Sequence, residues 1–196
     1  MIAYLKGEIT YKSPTTLIVE TGGVGYHVNI SLNTYSQIAG LEKVQMLIHT
    51  HMTDDAHTLY GFVDEAERSL FRHLISVSGV GPNSARVILS GMDPDETRSA
   101  IIAENVAAFQ RIKGIGPKTA KRVILDLKDK MIKDSGADTV LVHSQGNTTR
   151  EEALSALVAL GFNTSQVQKA LSRVKTEHPG TGTVEELIKL ALKQLS

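Results

Sequence analysis

Cysteine and tryptophan are both absent from the 196 residues of this chain. The absence of cysteine excludes a disulfide scaffold, a zinc site built from thiolates and a thiol nucleophile. It is compatible with a reducing compartment, and we expect a cytoplasmic protein. No apolar run comes near the roughly 18 residues that a membrane helix needs, and the first residues lack the layout of a signal peptide. We therefore expect no membrane association.

An excess of one charge is also lacking, because 21 lysines and arginines balance 21 aspartates and glutamates. A neutral total by itself argues against a nucleic-acid partner, but the charge is unevenly distributed. The formal charge is −2 over residues 1–62, +3 over 63–133, −2 over 134–148 and +1 over 149–196. Residues 111–133 alone hold 8 basic and 2 acidic side chains. The neutral total therefore conceals a basic segment, which is typical of contact with nucleic acid.

The N-terminal part of the chain has the pattern of a small β-barrel. Short segments rich in β-branched and aromatic residues alternate with turn residues, and one segment of a different pattern, Leu32–Ile38, interrupts them. Strands of this number and length favour an OB-like barrel. The predicted strands are Ile2–Ile9, Thr15–Thr21, Tyr26–Ile30, Val44–Thr53 and Thr58–Val63.

Helical spacing of apolar residues begins at Asp64 and continues to about Lys133. The polar segment that follows has no periodicity and is predicted to be a flexible linker. A capping-box pattern at Thr148–Glu151 then starts three short helices, which can form only a small core. The predicted organisation is multi-domain α+β, with a barrel at 1–63, a helical domain at 64–133, the linker at 134–148 and a three-helix domain at 149–196.

A repeat at an offset of 35 residues is the strongest feature of the helical domain, because Ser78–Pro82 matches Lys113–Pro117. Two glycines that flank an apolar residue permit a tight turn between helices, since either glycine can adopt a positive φ. The apolar residue can point inward, and proline is well placed in the first turn of the next helix. The free backbone N–H groups of that helix start then form an outward-facing anion site.

One Gly-x-Gly-Pro turn alone is more often a simple helix connector. Two copies in register, the second followed by cations, favour paired helix-hairpin-helix motifs that hold the DNA backbone without base preference. The candidate DNA-binding residues are Gly79, Val80, Gly81, Asn83, Ser84 and Arg86 in hairpin 1, and Lys113, Gly114, Ile115, Gly116, Lys118, Thr119, Lys121 and Arg122 in hairpin 2.

Together with both hairpins, five further segments form a specific combination: Met1–Gly7, Gly22–Tyr26, Leu59–Phe62, Ile124–Lys130 and Ala156–Phe162. With these motifs the chain resembles the RuvA family of Holliday-junction-binding subunits over essentially its whole length. The resemblance implies an N-terminal OB-fold β-barrel, a helical domain with two helix-hairpin-helix motifs and a C-terminal three-helix UBA-like domain. It also implies a bacterial homotetramer, or paired tetramers, that holds a four-way DNA junction open and square-planar.

Partners and some site residues follow from the resemblance alone. It implies that the RuvB ATPase motor is recruited for branch migration in recombination and DNA repair, and that the RuvC resolvase can cut the held junction. Asp54 and Asp55 fall where the family has an acidic pair that repels phosphates near the junction centre. The alternative is a turn chosen for the hydrogen bonding of aspartate. Asn83 stands where the family often has lysine, and Arg86 is expected to compensate for the missing charge.

Four apolar residues of the last domain match family positions that dock the motor. The alternative is that they fill the core of their own small domain, as some of them must. Phe162, which follows Gly161, is expected to be the most exposed. The candidate motor-binding residues are Leu157, Leu160, Phe162 and Leu192.

Enzyme classes are less consistent with the sequence. Gly116–Thr119 lacks the glycines of a phosphate-binding P-loop, so ATP-driven work is expected from a partner. A DNA-repair enzyme would need a base pocket, and Asp126 lies instead on an amphipathic helix. His49 and His51 could join the acidic pair in a metal site, but histidines on a strand surface are commoner. We expect a non-catalytic subunit without cofactor, metal or small-molecule substrate; the alternatives are a helix-hairpin-helix repair enzyme and a generic architectural duplex-binding protein.

Overall fold

The computed structural model describes residues 1–138, 148–178 and 183–195. Two compact units divide the chain, Met1–Asp138 and Thr139–Ser196. The first unit contains the barrel and the helical domain, and the second contains the three C-terminal helices. Of the predicted linker, residues 139–147 lie outside the described residues.

A closed barrel in the strand order β1-β2-β3-β5-β4 forms the N-terminal part. Its strands are β1 (Tyr4–Ser13), β2 (Thr16–Thr21), β3 (Val24–Asn29), β4 (Lys43–Met52) and β5 (His57–Phe62), and helix α1 (Leu32–Gln37) lies between β3 and β4. β3 and β5 pair in parallel, which closes the barrel, whereas the other pairs are antiparallel. The alternating apolar residues fill its interior: Leu5, Leu17, Val19, Val28, Ile30, Ile38, Val44, Met46, Ile48 and Leu59.

The helical domain follows directly, with α2 (Glu65–Ile75), α3 (Pro82–Gly91), α4 (Pro94–Ile102), α5 (Val106–Gln110) and α6 (Pro117–Asp138). Side-chain caps begin three of these helices. At the start of α5, the Asn105 Oδ1 accepts from the Ala108 N–H at 3.1 Å. The Asp64 carboxylate accepts from the Glu67 N–H at 2.8 Å, and Asp93 forms a reciprocal capping box with Glu96. The buried apolar residues of the five helices form one continuous core with two from the barrel, Tyr60 and Phe62.

Phe71 of α2 joins the helical domain to the barrel. Its ring is fully buried, and the ring centroids of His49, Tyr60 and Phe62 lie 5.3, 5.1 and 5.0 Å from its own. Tilted aromatic packing at these distances adds stabilisation beyond area burial. The barrel therefore provides a fixed base for the hairpins of the helical domain.

Helix α6 is longer than the sequence pattern indicated. Residues 134–138, assigned to the linker from their polar composition, continue the helix to Asp138. A nucleated helix adds residues at little cost and needs no apolar periodicity to do so. The predicted start of the linker is corrected accordingly.

The second unit consists of α7 (Thr148–Ala159), α8 (Thr164–Glu177) and α9 (Val184–Leu195). Gly161 adopts a φ of +96° just after α7, where the Phe162 N–H donates to the Leu157 carbonyl at 3.2 Å. Within the described ranges, no helix is long and apolar enough to cross a membrane. The small core comprises Ala153, Leu157, Val167, Ala170, Leu171, Val174, Leu187 and Ala191.

Candidate nucleic-acid interface

The two repeated turns have the same backbone conformation. The first glycine of each adopts a positive φ, +92° at Gly79 and +88° at Gly114. The apolar residue between the glycines points inward, since Val80 and Ile115 are both buried in the helical core. The sequence prediction of a tight turn pinned by its central side chain therefore agrees with the structure at both hairpins.

Unpaired backbone donors lie at the start of α3. Gly81 is the N-cap and supplies no side-chain hydrogen bond, and Pro82 at the first helical position has no N–H. The first acceptor within the helix is the Gly81 carbonyl, which receives the Ala85 N–H at 3.0 Å. The N–H groups of Asn83 and Ser84 thus have no acceptor inside the helix, and the positive end of the helix dipole is directed to the same place.

The start of α6 repeats this arrangement, because the Gly116 carbonyl accepts the Ala120 N–H at 2.9 Å. The outer face of each turn is open. A Cβ placed on Gly81 or Gly116 would meet no other atom within 4 Å, and both glycines are exposed. Each helix start therefore offers donors and a dipole on a surface that a phosphodiester can approach closely.

The two hairpins differ in charge. Lys113, Lys118, Lys121 and Arg122 are all exposed around hairpin 2, and Thr119 is half-buried. Arg122 has only a loose ion pair with Asp126, at 3.8 Å between Nε and Oδ2. Cations so arranged can each neutralise a phosphate.

Hairpin 1 lacks this surround of cations. Asn83 is exposed at its helix start and Ser84 is half-buried beside it. Arg86, expected to supply the missing charge, is directed to the barrel: its Nη1 donates to the Thr15 carbonyl and to the Asn29 Oδ1, both at 3.1 Å. These partners lie 71 and 57 residues away in sequence, so no local pattern could indicate them.

Asp54 and Asp55 occupy the tip of the β4–β5 hairpin and are exposed. Thr53 closes this turn, because its N–H and Oγ1 donate to the Ala56 carbonyl at 2.9 and 3.2 Å. Within residues 1–138, neither aspartate carboxylate accepts a hydrogen bond that would hold the turn. The alternative of a turn built on aspartate side chains is therefore not what the structure shows, and both charges face solvent.

His49 of β4 has a packing role. His49 lies against Phe71, and burial lowers the pKa of His49, with a further contribution from the positive charge of Arg72. A neutral ring is favoured there for both reasons. Across the described ranges, no group of three or more histidine, aspartate or glutamate side chains is placed to hold a metal ion.

One buried carboxyl was missed by the sequence reasoning. Glu67 of α2 is fully buried; its Oε1 accepts from the Ser31 hydroxyl at 2.5 Å and its Oε2 from the Thr34 hydroxyl at 2.7 Å. Burial raises the pKa of Glu67, and these hydrogen bonds oppose the rise. The pair of bonds ties α1 of the barrel to the helix that precedes hairpin 1.

Comparisons with known proteins agree with this geometry along the whole chain. Residues 1–61 match the model described as RuvA N terminal domain, 71–129 that described as SAM-like Helix-hairpin-helix tandem, and 148–196 that described as RuvA, C-terminal domain. The chain belongs to the RuvA family. The predicted fold, an OB-type barrel with tandem hairpins and a C-terminal helical domain, is confirmed.

Several full-length members of the RuvA family are similar to the chain. A relative from Christiangramia forsetii is 52% identical over 195 residues, covering 100% of both chains. One from Cytophaga hutchinsonii is 47% identical and covers 98% of this chain and 99% of its own length. One from Bacteroides fragilis is 46% identical and covers 100% of both. Each of these relatives carries the name Holliday junction branch migration complex subunit RuvA.

The C-terminal residues expected to dock the RuvA family's motor do not share one environment. Leu157 is fully buried and belongs to the core of its own unit, so it is not available for docking. Phe162 and Leu192 are half-buried against the same core, which corrects the expectation that Phe162 is the most exposed. Leu160, in the turn that follows α7, is 63% exposed.

Proposed function

We propose that this chain is the non-catalytic junction-binding subunit of a bacterial branch-migration complex in recombination and DNA repair. It binds four-way DNA junctions through their phosphate backbone, and ATP hydrolysis belongs to the RuvB partner. The observation that carries the proposal is the pair of open helix starts at Gly81 and Gly116, alike in conformation and lacking side-chain obstruction. Backbone donors of this kind bind phosphate without reading sequence.

A homotetramer suits such a substrate. One chain provides one pair of hairpins, so four copies provide a matching pair for each arm of a four-way junction. The simultaneous engagement of four arms multiplies weak backbone contacts through effective concentration. Two tetramers can pair as an octamer around the same junction. We place the assembly in the cytoplasm, where RuvB and the RuvC resolvase would meet the held junction.

The acidic tip gives this assembly its preference for junctions. Asp54 and Asp55 project from the β4–β5 hairpin with no hydrogen-bond partner in the described first unit. Carboxylates close to phosphates repel them, so the tip disfavours a continuous duplex across the centre and favours separated arms. Phosphates are thus held at the hairpins and repelled at the tip.

Docking of RuvB is assigned to the C-terminal unit around Leu160. Leu160 is exposed two residues before the half-buried Phe162, so apolar side chains follow the end of α7 at the surface of the unit. Leu160→Asp should weaken RuvB association in a pull-down while junction binding is unchanged. Unchanged RuvB association would remove Leu160 from the docking surface.

The deciding experiment compares the affinity of the full-length chain for a synthetic four-way junction and for a linear duplex of equal length. We expect strong preference for the junction without ATP, and a tetramer or octamer by native mass spectrometry. Equal affinities would favour the architectural protein instead, and cleavage or base release would favour the repair enzyme. Asp54→Asn with Asp55→Asn should reduce the preference by strengthening duplex binding; an unchanged preference would contradict the role of the tip.

A further inference from the structure

One face of α3 is attached to the barrel by side-chain hydrogen bonds. Arg86 and Ser90 lie one turn apart, so they share this face. Arg86 Nη1 donates to the Thr15 carbonyl and to the Asn29 Oδ1 at 3.1 Å each. Ser90 Oγ accepts the Leu32 N–H of α1 at 3.0 Å. The helix that starts at the phosphate-binding turn of hairpin 1 is therefore held at two points.

Asn29 carries this attachment across the sheet. Its Oδ1 accepts from Arg86, while its Nδ2 donates to the Leu59 carbonyl of β5 at 3.3 Å. β5 is the strand that leads away from the acidic tip at Asp54 and Asp55. A chain of hydrogen bonds thus joins α3 to the strand that carries the tip, and its parts are half-buried, where each bond is stronger than in water.

The equivalent face of hairpin 2 has no such attachment. At the offset of 35 residues, Arg86 corresponds to Lys121 and Ser90 to Leu125. Lys121 is exposed and Leu125 is 80% exposed. The ion pair on this face of α6 joins Lys128 to Glu104, within the helical domain, and does not reach the barrel. The guanidinium of Arg86 therefore binds the barrel, whereas its counterpart Lys121 does not.

We propose that Arg86 is a positioning residue, which locks the phosphate-binding turn of hairpin 1 at a set distance and angle from the acidic tip through Asn29. The planar guanidinium of Arg86 suits this task, because its N–H groups have fixed directions and one of its nitrogens can donate to two acceptors at once. The inference rests on the proposed junction-binding function and deepens it: Arg86 contributes to the choice of junction over duplex, and not to the neutralisation of phosphates.

The test measures junction and duplex affinity of full-length variants over a range of salt concentrations. Arg86→Ala, Arg86→Lys and Asn29→Ala should each lower the ratio of junction to duplex affinity by roughly three- to tenfold, the worth of one or two hydrogen bonds. The slope of log affinity against log salt should stay at the wild-type value in all three. Lys121→Ala is the matched control at the equivalent position, and its slope should fall by about 0.9 for each phosphate that the lysine neutralises.

Opposite results would identify Arg86 as a phosphate contact. In that case Arg86→Ala lowers the salt slope, Arg86→Lys behaves as wild type, and Asn29→Ala has no effect on binding. Unfolding without DNA provides an independent measurement: the fall in Tm of the Arg86→Ala, Asn29→Ala double variant should be smaller than the sum of the single falls, since the residues act as a pair. Additive falls would overturn the proposal.

Failure of the proposed function would give a different result. A wild-type chain without preference for junctions contradicts the function itself, while the double-variant measurement still tests the link between Arg86 and Asn29. A wild-type preference that all three variants retain contradicts only the positioning role. The folded state of each variant is checked by its thermal transition before binding is compared.

Discussion

The turns of hairpin 1 and hairpin 2 have the same backbone conformation but different surroundings. The turns have nearly equal φ at Gly79 and Gly114, and a β-branched aliphatic residue is buried between the glycines of each, Val80 in one and Ile115 in the other. Yet residues 76–98 hold 2 basic and 3 acidic side chains, whereas the matching residues 111–133 hold 8 and 2. The geometry of a phosphate site and its charge are therefore separable in this protein. Hairpin 1 is attached to the barrel, and hairpin 2 carries the cations.

Removing the charge of hairpin 2 should have the largest effect on DNA binding. In the variant Lys118→Ala, Lys121→Ala, Arg122→Ala the salt slope should fall by about 0.9 for each phosphate that these cations neutralise, and affinity should fall on the order of a hundredfold at about 0.1 M salt. All three side chains are exposed, so folding should be unaffected. Fluorescence anisotropy with a labelled junction over a salt series measures both quantities.

The reverse change at hairpin 1 is the matched comparison. Asn83→Lys adds a cation at an exposed helix start. The slope of log affinity against log salt should become steeper by about 0.9 for each copy of hairpin 1 that contacts DNA. An unaltered slope in the triple variant would show that hairpin 2 does not carry the electrostatic part of binding. An unaltered slope in Asn83→Lys would place hairpin 1 away from the phosphates.

A smaller effect is expected from a single methyl group in either turn. Gly81→Ala and Gly116→Ala place a Cβ where the protein leaves open space, so Tm should change little. The methyl lies where a phosphate must approach the backbone N–H groups, and junction affinity should fall roughly tenfold for each, equivalent to the loss of one charged hydrogen bond.

The exposed Gly40 is a control for the change in chain entropy, because its Cβ would also meet nothing within 4 Å. Gly40→Ala should bind the junction as wild type does. Similar losses at Gly81 and Gly116 would show that both hairpins hold phosphate through the backbone, regardless of charge. A loss at Gly116 alone would mean that hairpin 1 serves only as a connector.

The hairpins were predictable because their chemistry is local. A positive φ requires glycine at Gly79 and Gly114, and a proline opens each following helix, so five adjacent residues determine the turn. The barrel was predictable for a similar reason, since each strand is a short segment rich in β-branched and aromatic residues that ends at turn residues. The ends of the elements were less predictable, since α6 continues to Asp138 without any apolar pattern to indicate it.

Residues whose role depends on distant partners could not be predicted from the sequence. Arg86 looked like a cation beside a phosphate site, but its acceptors are contributed by the barrel. Glu67 lies in the first turn of α2, and nothing in the local sequence indicates that it is fully buried with hydroxyl donors from Ser31 and Thr34. Leu157 and Leu160 lie close together in the chain with equal hydrophobicity, and only the packing of α8 and α9 makes one a core residue and the other exposed.

The smallest expected effect concerns Glu67, in the helix α2 that precedes hairpin 1. At the offset of 35 residues, Glu67 corresponds to the apolar Ile102. The helix before hairpin 1 therefore contains a buried acid at a position where the second repeat has none. Burial raises the pKa of Glu67 above its ordinary value of 4.5, and the charge of Asp64 adds to the rise. The folded state thus retains a proton that the unfolded state releases, and the stability due to this group is lost as pH rises above 4.5.

Glu67→Gln removes this titration while keeping a polar side chain between Ser31 and Thr34. The difference in Tm, variant minus wild type, should therefore increase by a few degrees as pH rises from about 4.5 to neutrality. Thermal unfolding at several pH values measures it, and hydrogen exchange should place the change in α1 and α2 rather than around hairpin 2. A difference in Tm that is constant with pH would mean that Glu67 stays ionised throughout. In that case the two hydroxyl donors outweigh the effect of burial on the pKa of Glu67, and the stability of α1 and α2 beneath hairpin 1 does not depend on this group's titration.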